Sequence, residues 1–173
     1  FPCASCHQQF VAFATYDHDL SHGFHDQFTT RNAPPLFNLA WSKYLHWDGG
    51  INHIEVQPLS PMTAPNEMAE NVDSVLQKLR KDTAYQRMFA LAFGSKLINS
   101  QRMLKALAQF VGSMVSSDSK YDKVKRGEDK FNSAEEHGYL LFKERCNTCH
   151  KEPLFTDYSF RNNGLLLNDF LKD

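Results

Sequence analysis

The stretches "CASCH" (residues 3–7) and "CNTCH" (residues 146–150) use all four cysteines of a 173-residue chain in two copies of one pattern. Four cysteines fit two disulfides, a zinc site or haem attachment, and the spacing has to decide. In each copy a second Cys follows the first by three positions, and a His comes directly after it. On a helical turn residues i and i+3 share a face. Two thiols so placed can form thioethers to the two vinyl groups of one haem, and the imidazole at i+4 can reach its iron. A thioredoxin-like pair needs a βαβ setting, and no strand pattern surrounds either motif. A zinc site built from the four cysteines leaves both histidines unexplained. The expected cofactors are therefore two covalent haem c groups, held by Cys3, Cys6 and His7 and by Cys146, Cys149 and His150. Haem c is attached outside the bacterial cytoplasm, so the expected compartment is the periplasm.

Composition narrows the classes further. Basic and acidic residues balance, 19 against 20, which excludes the clustered basic excess of a nucleic-acid footprint. No apolar run approaches the roughly 18 residues of a membrane span. Hydrophobic residues make up 42% and aromatic residues 13%, which suits either a Phe-rich core or a wrapping around a large flat apolar ligand. The sequence opens on Phe1 without Met or a signal peptide and stops soon after the second motif; it reads as a piece of a longer protein.

The helices lie between the motifs. Residues 8–50 read mostly as loop with short helices, and Pro58, Pro61 and Pro65 forbid a continuous helix across 51–68. A helix is predicted over Asn71–Leu79 with Val72, Val75, Leu76 and Leu79 on one face. Asp82 caps a second, ending at Phe93 before Gly94, with Tyr85, Met88, Phe89 and Ala92 as its apolar face. A third starts near Asn99 and carries Met103, Leu104, Leu107, Phe110, Val111 and Met114. Ser133-Ala134-Glu135-Glu136 reads as a capping box opening a fourth, with Tyr139, Leu140 and Phe142 on its apolar side, leading into the second motif. The polar stretch Ser117–Lys130 reads as a connector. The expected fold is mainly α, with two cytochrome c-like haem domains: 1–117, a connector at 118–132, and 133–173 as the beginning of a second domain.

Axial ligands separate carriers from catalysts. His7 and His150 are the proximal candidates. His18, His22 and His25 in "YDHDLSHGFHD" are distal candidates for the first haem, and Gly23 lets the backbone approach a flat ligand. Met62, Met68, Met88, Met103 and Met114 are the other possible ligands, three of them on helix faces that suit a core. From the residues alone, Glu67 also suits the start of a helix near Met68, and Trp47 suits an aromatic core.

"RNAPPLFN" (31–38), "HWDGG" (46–50), "QPLSPMTAPNEM" (57–68) and "FTDYSFRNNG" (155–164), in this order between and after the motifs, resemble the bacterial dihaem cytochrome c peroxidase family. That family also includes the quinone-forming dihaem enzyme that matures methylamine dehydrogenase. The resemblance implies that the Cys3/Cys6/His7 haem is peroxidatic and the Cys146/Cys149/His150 haem delivers electrons. It implies that His22 caps the first iron at rest and leaves on activation, and that Trp47 lies between the haems as an electron path. Gln57 and Glu67 match the distal-pocket pair, and Asn32 matches a ligand of a calcium ion. A carboxylate beside peroxide can move its proton, and an amide can orient it by hydrogen bonds.

The implied reaction is reduction of hydrogen peroxide to water with electrons from a small cytochrome or cupredoxin; the sequence leaves the oligomeric state open, a homodimer included. Two alternatives belong beside it: an enzyme of the same scaffold that oxidises a protein side chain, which a tyrosine such as Tyr16 in the distal position would favour, and a non-enzymatic dihaem electron carrier. Two departures stand out. His46 precedes Trp47 where the family often has Phe, which makes the pocket or its rim more polar. The part that would supply a Met to the second haem lies outside this sequence.

Overall fold

A computed structural model describes residues 2–162, 164 and 166. Six α-helices follow a long irregular segment: α1 Leu59–Thr63, α2 Val72–Lys81, α3 Thr83–Phe93, α4 Ser100–Gly112, α5 Lys120–Arg126 and α6 Ser133–Arg145. No β-strand occurs among the described residues, so the mainly α class holds. The chain divides into two compact units, residues up to Met114 and Val115–Leu166.

The first unit is built on α1 to α4. Asn71, Asp82 and Asn99 cap α2, α3 and α4, each with its side-chain oxygen accepting from the first turn's amides. Gly94 ends α3 in the left-handed conformation, φ 73°. Met62, Leu76, Phe89, Ile98, Met103 and Leu104 form the buried core, with Leu59, Met68, Val72, Val75, Leu79, Phe93 and Leu107 packed around it. Ile98 is almost completely enclosed, at 1% exposure. The α3 face is narrower than the sequence suggests. Phe89 and Phe93 point inward, whereas Tyr85, Met88 and Ala92 are exposed, because α2 is the main helix packed against α3. Phe110 on α4 is likewise exposed.

Prolines shape α1. A continuous helix over 51–68 is absent, as the three prolines require, but one helical turn forms with Pro58 at its N-cap and Pro61 in its first turn, where a missing N–H costs nothing. Met62 on this turn enters the core.

Residues 8–51 are held by three short pinches rather than by regular structure. Isolated antiparallel bridges join Gln8 to Ala14, His22 to Phe28, and Leu45 to Ile51. Each pinched loop carries a pair of residues at positive φ: Ala12 and Phe13, His25 and Asp26, His46 and Gly49. Left-handed residues let a short loop reverse direction, and five of these six are not glycine.

The second unit holds α5, α6 and the second motif. The stretch read from sequence as a connector contains α5, opened by a reciprocal capping box between Ser119 and Asp122 and closed by Gly127 at φ 77°. The box at the start of α6 pairs Asn132, not Ser133, with Glu135. Tyr139 and Phe142 are half-buried on α6, but Leu140 is exposed. Glu152 joins the unit together: its Oε1 accepts from the hydroxyls of Tyr121 and Tyr139, both at 2.7 Å, with Lys125 3.8 Å away.

Candidate functional site

Both motifs fold into the same turn. The His7 amide donates to the Cys3 carbonyl at 2.9 Å and the Cys6 amide to the same carbonyl at 3.2 Å. In the second copy His150 and Cys149 donate to the Cys146 carbonyl at 2.9 and 3.2 Å. None of the four thiols is in a disulfide. On such a turn the i, i+3, i+4 spacing puts both thiols and the imidazole toward one side.

Each motif histidine is held by its Nδ1. His7 Nδ1 lies 2.7 Å from the Phe13 carbonyl, and His150 Nδ1 lies 3.2 Å from the Phe155 carbonyl. A carbonyl can only accept, so in each ring Nδ1 carries the proton and Nε2 keeps its lone pair. That is how a ligating imidazole is usually fixed. The donor set therefore fits haem c at both motifs: two thiols and one oriented imidazole nitrogen.

The first motif opens on a cavity of about 480 Å3, within the size range of cofactor sites. Cys6 and His7 line it, with Asn32, Trp47, Gln57 and Glu67 from the sequence-predicted set and His46 beside them. The helix α1 presents Ser60 and Pro61 to the cavity and Met62 to the core, so one proline-defined turn joins the site to the scaffold. Hydroxyls fix the wall behind the motif. Ser21 and Thr29 are buried; Thr15 Oγ1 donates to the Cys6 carbonyl at 3.0 Å and pairs with Ser21 Oγ at 2.5 Å. The Ser21 amide donates to Thr29 Oγ1 at 3.0 Å.

Glu67 is half-buried, and burial raises its carboxyl pKa; the nearby His46 and His7 rings pull in the opposite direction. It does not start a helix: α2 begins at Val72 under the Asn71 cap. The Cys6 thiol is also pushed up, first by burial and less by the neighbouring Glu67 and Cys3. Gln57 Nε2 lies 3.5 Å from His46 Nε2. Trp47 is half-exposed, not a core aromatic, and its indole N–H donates to the Asn32 carbonyl at 2.8 Å. The Asn32 side-chain amide donates to the Asp19 carbonyl at 3.0 Å. Among the described residues no group of three or more His, Cys, Asp or Glu side chains is arranged to hold a metal ion.

His22 stands apart from the residues that line the cavity. Its Nδ1 is 2.6 Å from Asp26 Oδ1, and its ring packs against those of His18 and Phe28 at 4.9 and 4.6 Å between centroids. Gly23 approaches protein backbone closely: a Cβ there would sit 2.1 Å from the Asn66 carbonyl oxygen. The next residue, Phe24, donates its amide to the Glu67 carbonyl at 2.6 Å. The His22 loop and the Glu67 turn are thus joined main chain to main chain. Of the candidate Met ligands, Met62 and Met103 are buried in the core, Met68 packs on it, and none of the five lines the cavity.

Comparison with known proteins shows the family. Residues 1–130 match the family model for di-haem cytochrome c peroxidase. The methylamine utilization protein MauG of Methylorubrum extorquens is 34% identical over 94% of this chain and 47% of its own length. Cytochrome c551 peroxidase of Nitrosomonas europaea is 31% identical over 86% of this chain and 48% of its own. The crystal structure of a MauG-like protein associated with microbial copper homeostasis superposes with a TM-score of 0.78 at 29% identity, covering 93% of this chain and 50% of that one. The chain spans about half the length of the curated relatives it matches.

Proposed function

The chain belongs to the di-haem cytochrome c peroxidase family, and from that premise we propose that it is the part of a periplasmic peroxidase that binds and reduces hydrogen peroxide. The observation that carries this reading is one cavity lined by both a haem-attachment pair, Cys6 and His7, and a proton-handling pair, Gln57 and Glu67. A pure electron carrier has no use for a half-buried carboxyl group in that place.

Haem bound to Cys3 and Cys6 would supply the redox iron at which peroxide is reduced. The rest falls to the chain. His7 offers Nε2, with Nδ1 held by Phe13. Burial raises the pKa of the Glu67 carboxyl, and a carboxyl in this place can give a proton to a departing oxygen and take one from an arriving peroxide. Gln57 orients peroxide by hydrogen bonding. Trp47, fixed at its indole by Asn32, is a redox-suited aromatic on the cavity wall and serves as the electron path.

His22, paired with Asp26 and not among the residues lining the cavity, would be the removable iron ligand of the first haem in the resting protein. Cys146, Cys149 and His150 hold the haem that receives electrons from a small cytochrome or cupredoxin. Asn32 contributes one oxygen to a calcium ion, and the protein works as a homodimer. Among the described residues no helix is long and apolar enough to cross a membrane.

Glu67→Gln in haem-loaded full-length protein tests the proton role. Peroxide-dependent oxidation of a reduced small cytochrome should fall about 10²-fold or more. Unchanged turnover would remove Glu67 from the mechanism. A second reading, oxidation of a protein side chain on the same scaffold, is favoured by the 34% identity to MauG. Peroxide-driven oxidation of an added protein substrate, with no turnover of a reduced cytochrome, would select it.

A further inference from the structure

The sequence reading assigns His46 only a change of polarity at the pocket. The geometry gives it more. His46 lines the cavity, half-buried, 3.5 Å from Gln57 and within electrostatic reach of Glu67. Its backbone is left-handed, φ 66°, in a loop closed on both sides. The Leu45 amide donates to the Ile51 carbonyl at 2.7 Å and the Gly49 amide to the His46 carbonyl at 3.3 Å. Leu45, directly before it, is buried and anchors the loop. A non-glycine residue kept in that conformation by its surroundings marks a position where the side chain's direction matters. A second pinched loop thereby delivers an imidazole to the same cavity as His7.

We propose that His46 is a second proton-handling residue of this cavity, acting with Glu67 on the bound peroxide. The proposal rests on the peroxidase reading and deepens it. The His46 ring accepts the proton that hydrogen peroxide loses on binding and returns it to the departing oxygen, ending as it began. Two electrons from the donor protein and two protons from solvent complete the conversion of one peroxide to two waters. An imidazole exchanges a proton through its unprotonated nitrogen; the Gln57 amide can only donate to His46 Nε2, 3.5 Å away, so Nε2 keeps the lone pair and takes the proton once peroxide replaces Gln57 there. The other titratable or charged groups about the ring are Glu67 from the turn after α1, Asp48 on its own loop with Arg31 3.9 Å beyond it, and His7 and Cys6 from the first motif.

Cyanide binding gives a readout separate from turnover, because hydrogen cyanide must lose a proton to a nearby base before it binds iron. The probe is potassium cyanide, followed by the haem absorption of the half-reduced, haem-loaded full-length protein across pH. His46→Asn suits the left-handed backbone but cannot exchange a proton; His46→Phe is the second variant. The expected result is that both slow cyanide association about 10-fold or more and remove one inflection from the wild-type pH profile. Wild-type rates and an unchanged profile in both variants would overturn the proposal. So would a change from a six-coordinate to a five-coordinate spectrum on His46→Asn, which would make His46 an iron ligand instead. If wild-type protein binds cyanide in a His46-dependent way yet does not turn over peroxide, the peroxidase reading fails and the role of His46 in proton transfer stands.

Discussion

His7 Nδ1 is held by the main-chain carbonyl of Phe13 at 2.7 Å, and the second motif repeats the relationship between His150 and Phe155 at 3.2 Å. In both cases the accepting residue is a phenylalanine in the left-handed region, φ 62° and 56°. The carbonyl is aimed by backbone conformation, so the way to disturb it is through φ. A β-branched residue is a severe outlier at that angle, whereas glycine adopts it freely. Phe13→Val should weaken the bond, make His7 a poorer electron donor and raise the midpoint potential of the first haem. Phe13→Gly should keep the potential near the wild-type value. A spectroelectrochemical titration of the two variants checks this; equal potentials would detach the carbonyl from the tuning of His7.

Gly23 is required by close packing rather than by a special φ. A Cβ at this position would meet the Asn66 carbonyl oxygen at 2.1 Å and the Glu67 carbonyl oxygen at 2.7 Å, both backbone atoms that cannot swing aside. Gly23→Ala is expected to destabilise the first unit by about 1–3 kcal/mol, the usual cost of overpacking. Urea unfolding should show a lowered midpoint.

Glu67 links burial to pH. Burial raises its folded pKa, so the folded state holds the proton more tightly than the unfolded chain. The contribution from this group is fully present below the ordinary carboxylate pKa and is lost as pH rises through the raised folded value. Glu67→Gln should therefore gain stability relative to wild type at neutral pH, with the difference closing as pH falls below the ordinary carboxylate value. Thermal unfolding across pH measures it, and a gain that grows toward low pH would contradict the assignment.

The second unit depends on the opposite sign. Glu152 is held below its ordinary value, first by the Tyr139 hydroxyl and then by that of Tyr121. Its contribution is present above the unfolded carboxylate pKa and lost as pH falls through the lowered folded value. Glu152→Ala removes the acceptor shared by two tyrosine hydroxyls and should lower the melting temperature at neutral pH by several degrees, on the order of 1–3 kcal/mol for two hydroxyls left unsatisfied. The loss should shrink in acid.

The helices were legible because their signals are local. Asn71, Asp82, Asn99 and Gly94 stand where caps belong, and the apolar spacing of α2 and of the first half of α4 survives into the core. Helix α5 was hidden because its seven residues, KYDKVKR, lie in a polar stretch with one aliphatic side chain, and its capping box uses Asp instead of Glu. The apolar face of α3 was overdrawn because periodicity does not say how many neighbours a helix has.

At the site, the repeated motif turn was readable from spacing, and the resemblance singled out Gln57, Trp47 and Glu67, which line one cavity with Cys6 and His7. What the sequence concealed was backbone conformation. Ala12, Phe13, His25, Asp26 and His46 adopt positive φ without a glycine to announce it. Those positions aim the carbonyl at His7, form the loop carrying His22 and bring His46 into the cavity. The packing of Gly23 was hidden for a different reason: the backbone it meets, at Asn66, lies 43 residues further along the chain (66 − 23).

On the proposed function, peroxide is reduced in the Cys6–His7 cavity with electrons delivered through the second motif. The most direct measurement is peroxide-dependent oxidation of a reduced small cytochrome by haem-loaded full-length protein, before and after one-electron reduction. Turnover is expected only after partial reduction in the wild type, and in both states for His22→Gly if His22 is the removable ligand. No turnover in either state, with both haems shown to be attached, would contradict it.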